Sequence, residues 1–225
     1  PNGKEVVATG EAGVAWVWND VTGRLLLALR QPAKTLMNTA AFNAQGSEIV
    51  TADGDGTVRV FSATTGRQLR VLTMPGRPDV FSAVFDPQGD EVLTATADGR
   101  ASVWNLRSGR RIFSVTLPGG AIVNAATFDP RGNEVLTASD DGTARLWSIA
   151  GATLLTTFGS PGDGSIVYAT FDHTGDAVLT CDEDGVATIW SPELAGPIST
   201  LETIAKQRAA AGLKSSQLSE YFSKG

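Results

Sequence analysis

Few side chains in the sequence could do acid–base or nucleophilic chemistry, and they are scattered. The only histidine, His173, follows Asp172 in the turn Phe171-Asp172-His173-Thr174-Gly175, and an oriented Asp–His pair is one way to build a general base. Similar turns place Pro87 after Asp86 and Pro130 after Asp129, so the aspartate belongs to the turn and the histidine reads as a solvated loop residue. The only cysteine, Cys181, would be a nucleophile if its thiol were acidified. It follows Thr180 in an apolar run whose counterparts carry Ala52, Ala95 and Ala138, which makes it a small core side chain. The paired carboxylates of Ser139-Asp140-Asp141-Gly142 read as hairpin-turn chemistry. No His/Cys spacing suits a metal, and no Gly-Lys-Ser phosphate loop occurs. No catalytic residue, metal or cofactor is expected.

The formal net charge of −6 disfavours a protein that coats nucleic acid or an anionic membrane. No apolar stretch is long enough to span a bilayer. A single cysteine excludes a disulfide framework and suits a reducing compartment. The first residues show no basic segment followed by an apolar run, so a cytoplasmic location is expected. The 25 glycines among 225 residues exceed the usual share of about 7% and point to many tight turns between short strands.

Those strands repeat. Trp18, Phe61, Trp104, Trp147 and Trp190 are spaced by 43 residues, as are Phe42, Phe85, Phe128 and Phe171. Two glycine series, Gly3, Gly46, Gly89, Gly132 and Gly175 and then Gly13, Gly56, Gly99, Gly142 and Gly185, keep the same period. Within one period, residues 80–86, 91–96, 100–104 and 111–115 read as four strands, with turns at Asp86-Pro87-Gln88-Gly89 and Asp98-Gly99. Four antiparallel strands per repeat is the content of one propeller blade.

The runs FDPQGDEVLTATADGRASVW and FDPRGNEVLTASDDGTARLW, which recur with variation over residues 1–201, resemble the WD-repeat β-propeller family. The resemblance implies an all-β fold of four-stranded antiparallel blades, five repeats of which are present. In that family a Trp, a Ser or Thr, a His and an Asp form a buried hydrogen-bonded tetrad in each blade. The matching positions are Trp18, Trp104, Trp147 and Trp190, with Phe61 substituted; the hydroxyls Thr51, Thr94, Thr137 and Thr180; and the turn aspartates Asp55, Asp98, Asp141 and Asp184. The histidine is replaced by Ala33, Gly76, Gly119 and Gly162, and the Asp after the Trp by Asn19, Ser62, Asn105, Ser148 and Ser191. A Thr hydroxyl accepting from the indole, and an Asp capping its own turn, are what can survive.

Gly3 aligns with Gly46, in the turn after a blade's first strand. The first blade is therefore expected to lack its innermost strand, and the chain to be the C-terminal part of a larger propeller rather than a five-bladed ring. Residues 202–225 lose the strand pattern; 203–211 favour a short helix ended near Gly212, a tail that lies on the propeller or frays.

Function is expected on one face of the disc. The inter-blade loops 77–81, 120–124 and 163–167 vary while the strands do not, leaving them free for recognition. The candidates are Arg77, Asp79, Phe81, Asn124, Asp140, Tyr168 and Glu183, with Arg77 and Phe81 as anchors. Acidic residues between second and third strands (Asp53, Asp55, Asp98, Asp140, Asp141, Asp182, Glu183, Asp184) share this face; they are ordinary hairpin residues whose summed field would also attract a basic partner. On the opposite face Glu5, Glu48, Glu91 and Glu134 are expected to pair with Arg24, Arg67 and Arg110. The leading function is a non-catalytic scaffold that binds proteins or peptides, with no nucleic-acid or membrane partner. The alternative is a regulatory C-terminal propeller of a larger signalling enzyme, with an NTPase or protease domain upstream.

Overall fold

The computed structural model describes residues 3–10, 12–32, 35–159 and 162–191. Each repeat folds into its own antiparallel sheet of strands adjacent in sequence. The first sheet holds β1 (Glu5–Gly10), β2 (Val14–Asn19) and β3 (Leu25–Arg30). The second holds β4 (Met37–Phe42), β5 (Glu48–Asp53), β6 (Thr57–Ser62) and β7 (Gln68–Thr73). The third holds β8 (Val80–Phe85), β9 (Glu91–Thr96), β10 (Arg100–Asn105) and β11 (Arg111–Thr116). The fourth holds β12 (Val123–Phe128), β13 (Glu134–Ser139), β14 (Thr143–Ser148) and β15 (Thr153–Gly159). The fifth holds β16 (Ile166–Phe171), β17 (Val178–Asp182) and β18 (Ala187–Trp190). The expected helix over 203–211, the tail and any fourth strand of the last blade lie outside the described residues.

The sheets pack face to face in chain order, with β4, β8, β12 and β16 side by side as the innermost strands. Each apolar core therefore lies between two blades. Leu136, Ala138, Ala144 and Leu146 on one face of the fourth sheet meet Ile166, Ala169, Val178 and Trp190 of the fifth. The same positions recur at the joint of sheets two and three, where Val50, Ala52, Val58 and Val60 meet Val80, Ala83, Val92 and Trp104. Because the middle strands are covered on both faces, β13 and β14 are buried along almost their whole length. The outermost β7 instead alternates towards solvent, as a half-covered strand should.

Two bulges recur. Between the third and fourth strands the register slips at the aromatic residue, beside Trp18, Phe61, Trp104 and Trp147. Between the first and second strands one residue is left unpaired: Asn38, Phe81, Asn124 and Val167. A bulged residue leaves the strict in–out alternation, so its side chain can be re-aimed. The loops that enter these strands cross closely over the preceding hairpin: a Cβ on Gly56, whose φ is +74°, would lie 2.5 Å from the Arg77 Cα.

Removing a side chain from one of these joints leaves a cavity the flanking sheets cannot close. Leu136→Ala, at a site with no exposure, is expected to lower unfolding stability by about 2–5 kcal/mol, read from the denaturant midpoint; a loss below about 1 kcal/mol would contradict inter-blade packing as the main source of stability.

Candidate functional site

Three of the blades keep the indole–hydroxyl bond. Trp104, Trp147 and Trp190 donate from Nε1 to Thr94, Thr137 and Thr180 at 3.2, 3.1 and 2.9 Å. Thr94 and Thr137 pass the bond on to the carbonyls of Ser102 and Arg145. With Phe61 in place of the indole, Thr51 donates instead to Asp53. In the first blade Ala8 stands where the others carry threonine; Trp18 lies opposite Val6 in the ladder and stacks with Trp16 at 6.2 Å between centroids.

The missing histidine is compensated by an arginine that its spacing did not announce. Arg145, on the same face of β14 as Trp147, holds Asp141 at 2.8 Å, and Arg59 of β6 holds Asp55 at 2.9 Å. Arg59 also pairs with Asp53 and donates to Gln31 at 2.8 Å. Both guanidinium groups are buried. In the third blade the position is Ser102, which shares a hydrogen bond with Ser114, and a cleft of about 10 Å³ lined by Thr94, Thr96, Asp98 and Ser102 takes the place of the guanidinium. That is about the space of one water.

Asp55 and Asp141 accept from the amides of Thr57 and Thr143, both at 3.1 Å, and Asp98 accepts from the Thr96 hydroxyl at 2.6 Å. In the fifth blade Asp182 takes the Val186 amide at 2.8 Å. Asp53 is not a rim residue: it ends β5, is buried, and faces inward beside Thr51. Burial pushes its carboxyl up despite the neighbouring Arg59. Arginines of the same blades thus offset Asp53, Asp55 and Asp141, and Arg100 does so for Asp98.

A second acidic series, with Asn43 as its first member, keeps the 43-residue spacing of the turns between first and second strands. Asn43, Asp86, Asp129 and Asp172 cap the turns between first and second strands, accepting from amides such as Glu48, Glu91, Glu134 and Ala177. Hydrogen bonds from the Thr174 hydroxyl and the Ala177 amide hold the Asp172 carboxyl at about 2. His173, 4.0 Å away, is exposed. The residues replacing the Asp of the Trp-Asp pair also cap: Asn19 and Asn105 accept from the amides of Thr22 and Ser108. On this face Arg70, not Arg67, reaches Glu48, at 3.3 Å. Here too Phe42, Phe85, Phe128 and Phe171 converge with Pro87 and Pro130 on an axial cavity of about 230 Å³.

The candidate recognition residues fall into three places. Arg77, Asp79 and Phe81 lie on and beside the loop between β7 and β8. Arg77 is exposed in a left-handed conformation with φ of 54°; Asp79 is exposed while its carbonyl accepts from Ala97; Phe81 is the half-exposed bulge residue. Asn124, Asp140 and Glu183 meet around Ser165, a residue the sequence did not single out. Asn124 donates to Asp140 at 2.7 Å and to the Ile166 carbonyl at 3.1 Å; the Ser165 hydroxyl donates to Asp140 at 2.7 Å, and its amide to Glu183 at 3.1 Å. This network ties the fourth blade to the fifth, as Asn38 ties the second to the third through the Val80 carbonyl at 2.8 Å. Tyr168 stands apart from both groups, in β16 at the register of Ala125 and half exposed on the side of the last sheet.

Among the described residues no group of three His, Cys, Asp or Glu side chains could hold a metal ion, and no helix is long and apolar enough to cross a membrane.

Antiparallel blades stacked around shared innermost strands define a β-propeller type of protein, whose rim is built from loops and bulges. The WD domain, G-beta repeat family model matches residues 23–62, 66–105 and 111–148, together more than half of the chain. The chain belongs to the WD40 family, whose repeats generally scaffold protein–protein interactions. No curated protein matches it.

The hairpin carboxylates make stability depend on pH. Burial alone would raise Asp141, but hydrogen bonds from Arg145 and Thr143 outweigh it and hold the carboxyl below the usual carboxylate range; Asp55 is lowered the same way by Arg59 and Thr57. A depressed pKa contributes stability that is complete above the unfolded value and lost as pH falls through the folded one. Asp141→Asn is therefore expected to lose less melting temperature than the wild type between about pH 6 and pH 3. Equal losses would mean that Arg145 does not stabilise the carboxylate.

Proposed function

We propose that the chain is a non-catalytic interaction module that binds a protein or peptide on the rim carrying the inter-blade loops. The observation that supports this most is Phe81. It occupies the bulge position where Asn38 and Asn124 use their amides to hold the next blade, and a phenyl ring can do no such thing. It belongs to none of the inter-blade cores and remains half exposed, with Arg77 and Asp79 beside it. A large apolar side chain with no packing duty next to an arginine is the composition of an interface anchor.

The acids bias the partner towards positive charge near the fifth blade. Asp163, Glu183 and Asp184 are exposed there, and the Glu183 and Asp184 carboxylates flank Gly164. Asp55 and Asp141, the counterparts of Asp184 in the second and fourth blades, are paired with arginine. The partner is thus a peptide or protein segment with an apolar residue for Phe81 and basic residues for the carboxylates.

Arg77→Glu combined with Phe81→Ala is expected to abolish capture of the partner from lysate while leaving the melting temperature within about 2 °C of wild type. Raising salt from about 0.1 to 0.5 M should weaken capture by wild type, since exposed charges are screened over a Debye length of a few ångströms there. Undiminished capture by the double variant would place the interface elsewhere.

A further inference from the structure

The outer edge of the fourth blade differs in charge from the outer edges of the three blades before it. Arg24 precedes β3 and Arg30 ends it; Arg67 precedes β7 and Arg70 lies within it; Arg110 precedes β11 and Arg111 opens it. All six arginines are exposed. In the fourth blade Thr153 and Leu154 stand where the third has Arg110 and Arg111, and Gly159 stands where the first has Arg30. No residue between Arg145 and Asp163 is charged.

Among the described residues β15 is the edge strand of its sheet, and its blade has a neighbour on each side. The edge is thus the outer rim of an interior blade. An edge strand offers its backbone groups to any extended chain, and proteins block that with charge, proline or a short strand. At seven residues β15 is no shorter than the other outer strands, and it contains neither proline nor charge. Leu154 and Leu155 are 48% and 47% exposed, and Thr153, Thr157 and Gly159 are exposed beside them. The bulge at Leu155 does not set this edge apart, since β3, β7 and β11 share it. Nor does the entering turn: Ala152, at φ of 48°, takes the left-handed conformation that Gly23, Gly66 and Gly109 hold in the other blades. What distinguishes β15 is its side chains.

We propose that β15 pairs antiparallel with β15 of a second copy across a two-fold axis, joining two fourth blades edge to edge in one continuous sheet. The occupant follows from charge. A two-fold strand pair sets each strand against its own residues, and like charges facing one another across a ladder are destabilising. Self-pairing of β7 or β11 would bring guanidinium groups together. Self-pairing of β15 brings leucine and threonine together and takes no charge out of water. A basic segment of the kind that suits the rim carboxylates finds no acid anywhere from Leu146 to Gly162. The contact is closed, so it stops at two copies, and one strand from each side covers less area than a standard interface, which makes the pair weak. It uses neither Phe81 nor Arg77, and stands or falls separately from the rim site.

Sedimentation of the whole chain across micromolar to sub-millimolar concentrations tests the pairing. Wild type is expected to rise with concentration from the monomer mass to twice that mass and no further. Thr153→Arg combined with Leu154→Arg gives the fourth blade the two residues that the third carries at these positions, and is expected to stay monomeric with a melting temperature within about 2 °C of wild type. If that variant unfolds its blade, Thr157→Lys repeats the test at another exposed position of β15. Hydrogen exchange identifies the strand: amides of residues 153–159 should slow as concentration rises, while those of 68–73 and 111–116 should not change. A wild type that stays monomeric, a species larger than two copies, or a folded variant that pairs as wild type does would overturn the proposal. Slow exchange over 153–159 at every concentration would also overturn it, by assigning the edge to a segment of the same chain.

Discussion

The rest of the structure depends on each sheet burying both of its faces against its neighbours. A lone four-stranded blade has no core of its own, since its apolar side chains point outward to left and right. Stability therefore comes from contacts between units 43 residues apart, and that spacing is conserved inside the chain because a blade of different length would misplace every side chain that its neighbours receive. The regularity of the aromatic and glycine series is the trace of that constraint in one dimension.

Within this frame the polar interior is negotiable. A histidine can be absent from the tetrad positions because the aspartate it would have met finds a guanidinium from its own third strand, at Arg59 and Arg145. The two solutions satisfy the same half-buried acceptor. Where Ser102 replaces the arginine, the blade keeps its indole bond and tolerates a water-sized cleft. The hydrogen bond from tryptophan to threonine is the part retained wherever both residues are present.

The strands, turns and blade count were legible because the signals are local and repeated. Val50-Thr51-Ala52 and its counterparts fill middle strands, and Asp-Gly marks the hairpins. What was not legible depends on direction. Asp53 reads as one more turn acid, yet it lies on the inward side of its strand, one residue before the turn begins. Arg59 and Arg145 are two repeats apart with a serine between them, so no run of like residues draws attention to them. In the sequence Phe81 and Asn124 stand out only as variable loop positions, and only the ladder shows that they are the same bulge position in successive blades. Ser165, the hub of the joint between the fourth and fifth blades, sits in a loop with no repeated counterpart of its type.

The bulge has an evolutionary consequence. Asn38, Phe81, Asn124 and Val167 sit outside the pairing register, and none of the sheets relies on their side chains for its alternation. A change of residue type there alters what the rim displays without shifting any strand against its neighbour. Amide, phenyl and isopropyl groups already occupy this one position within a single chain. Selection can thus rewrite the rim one residue at a time while the frame that carries it stays fixed.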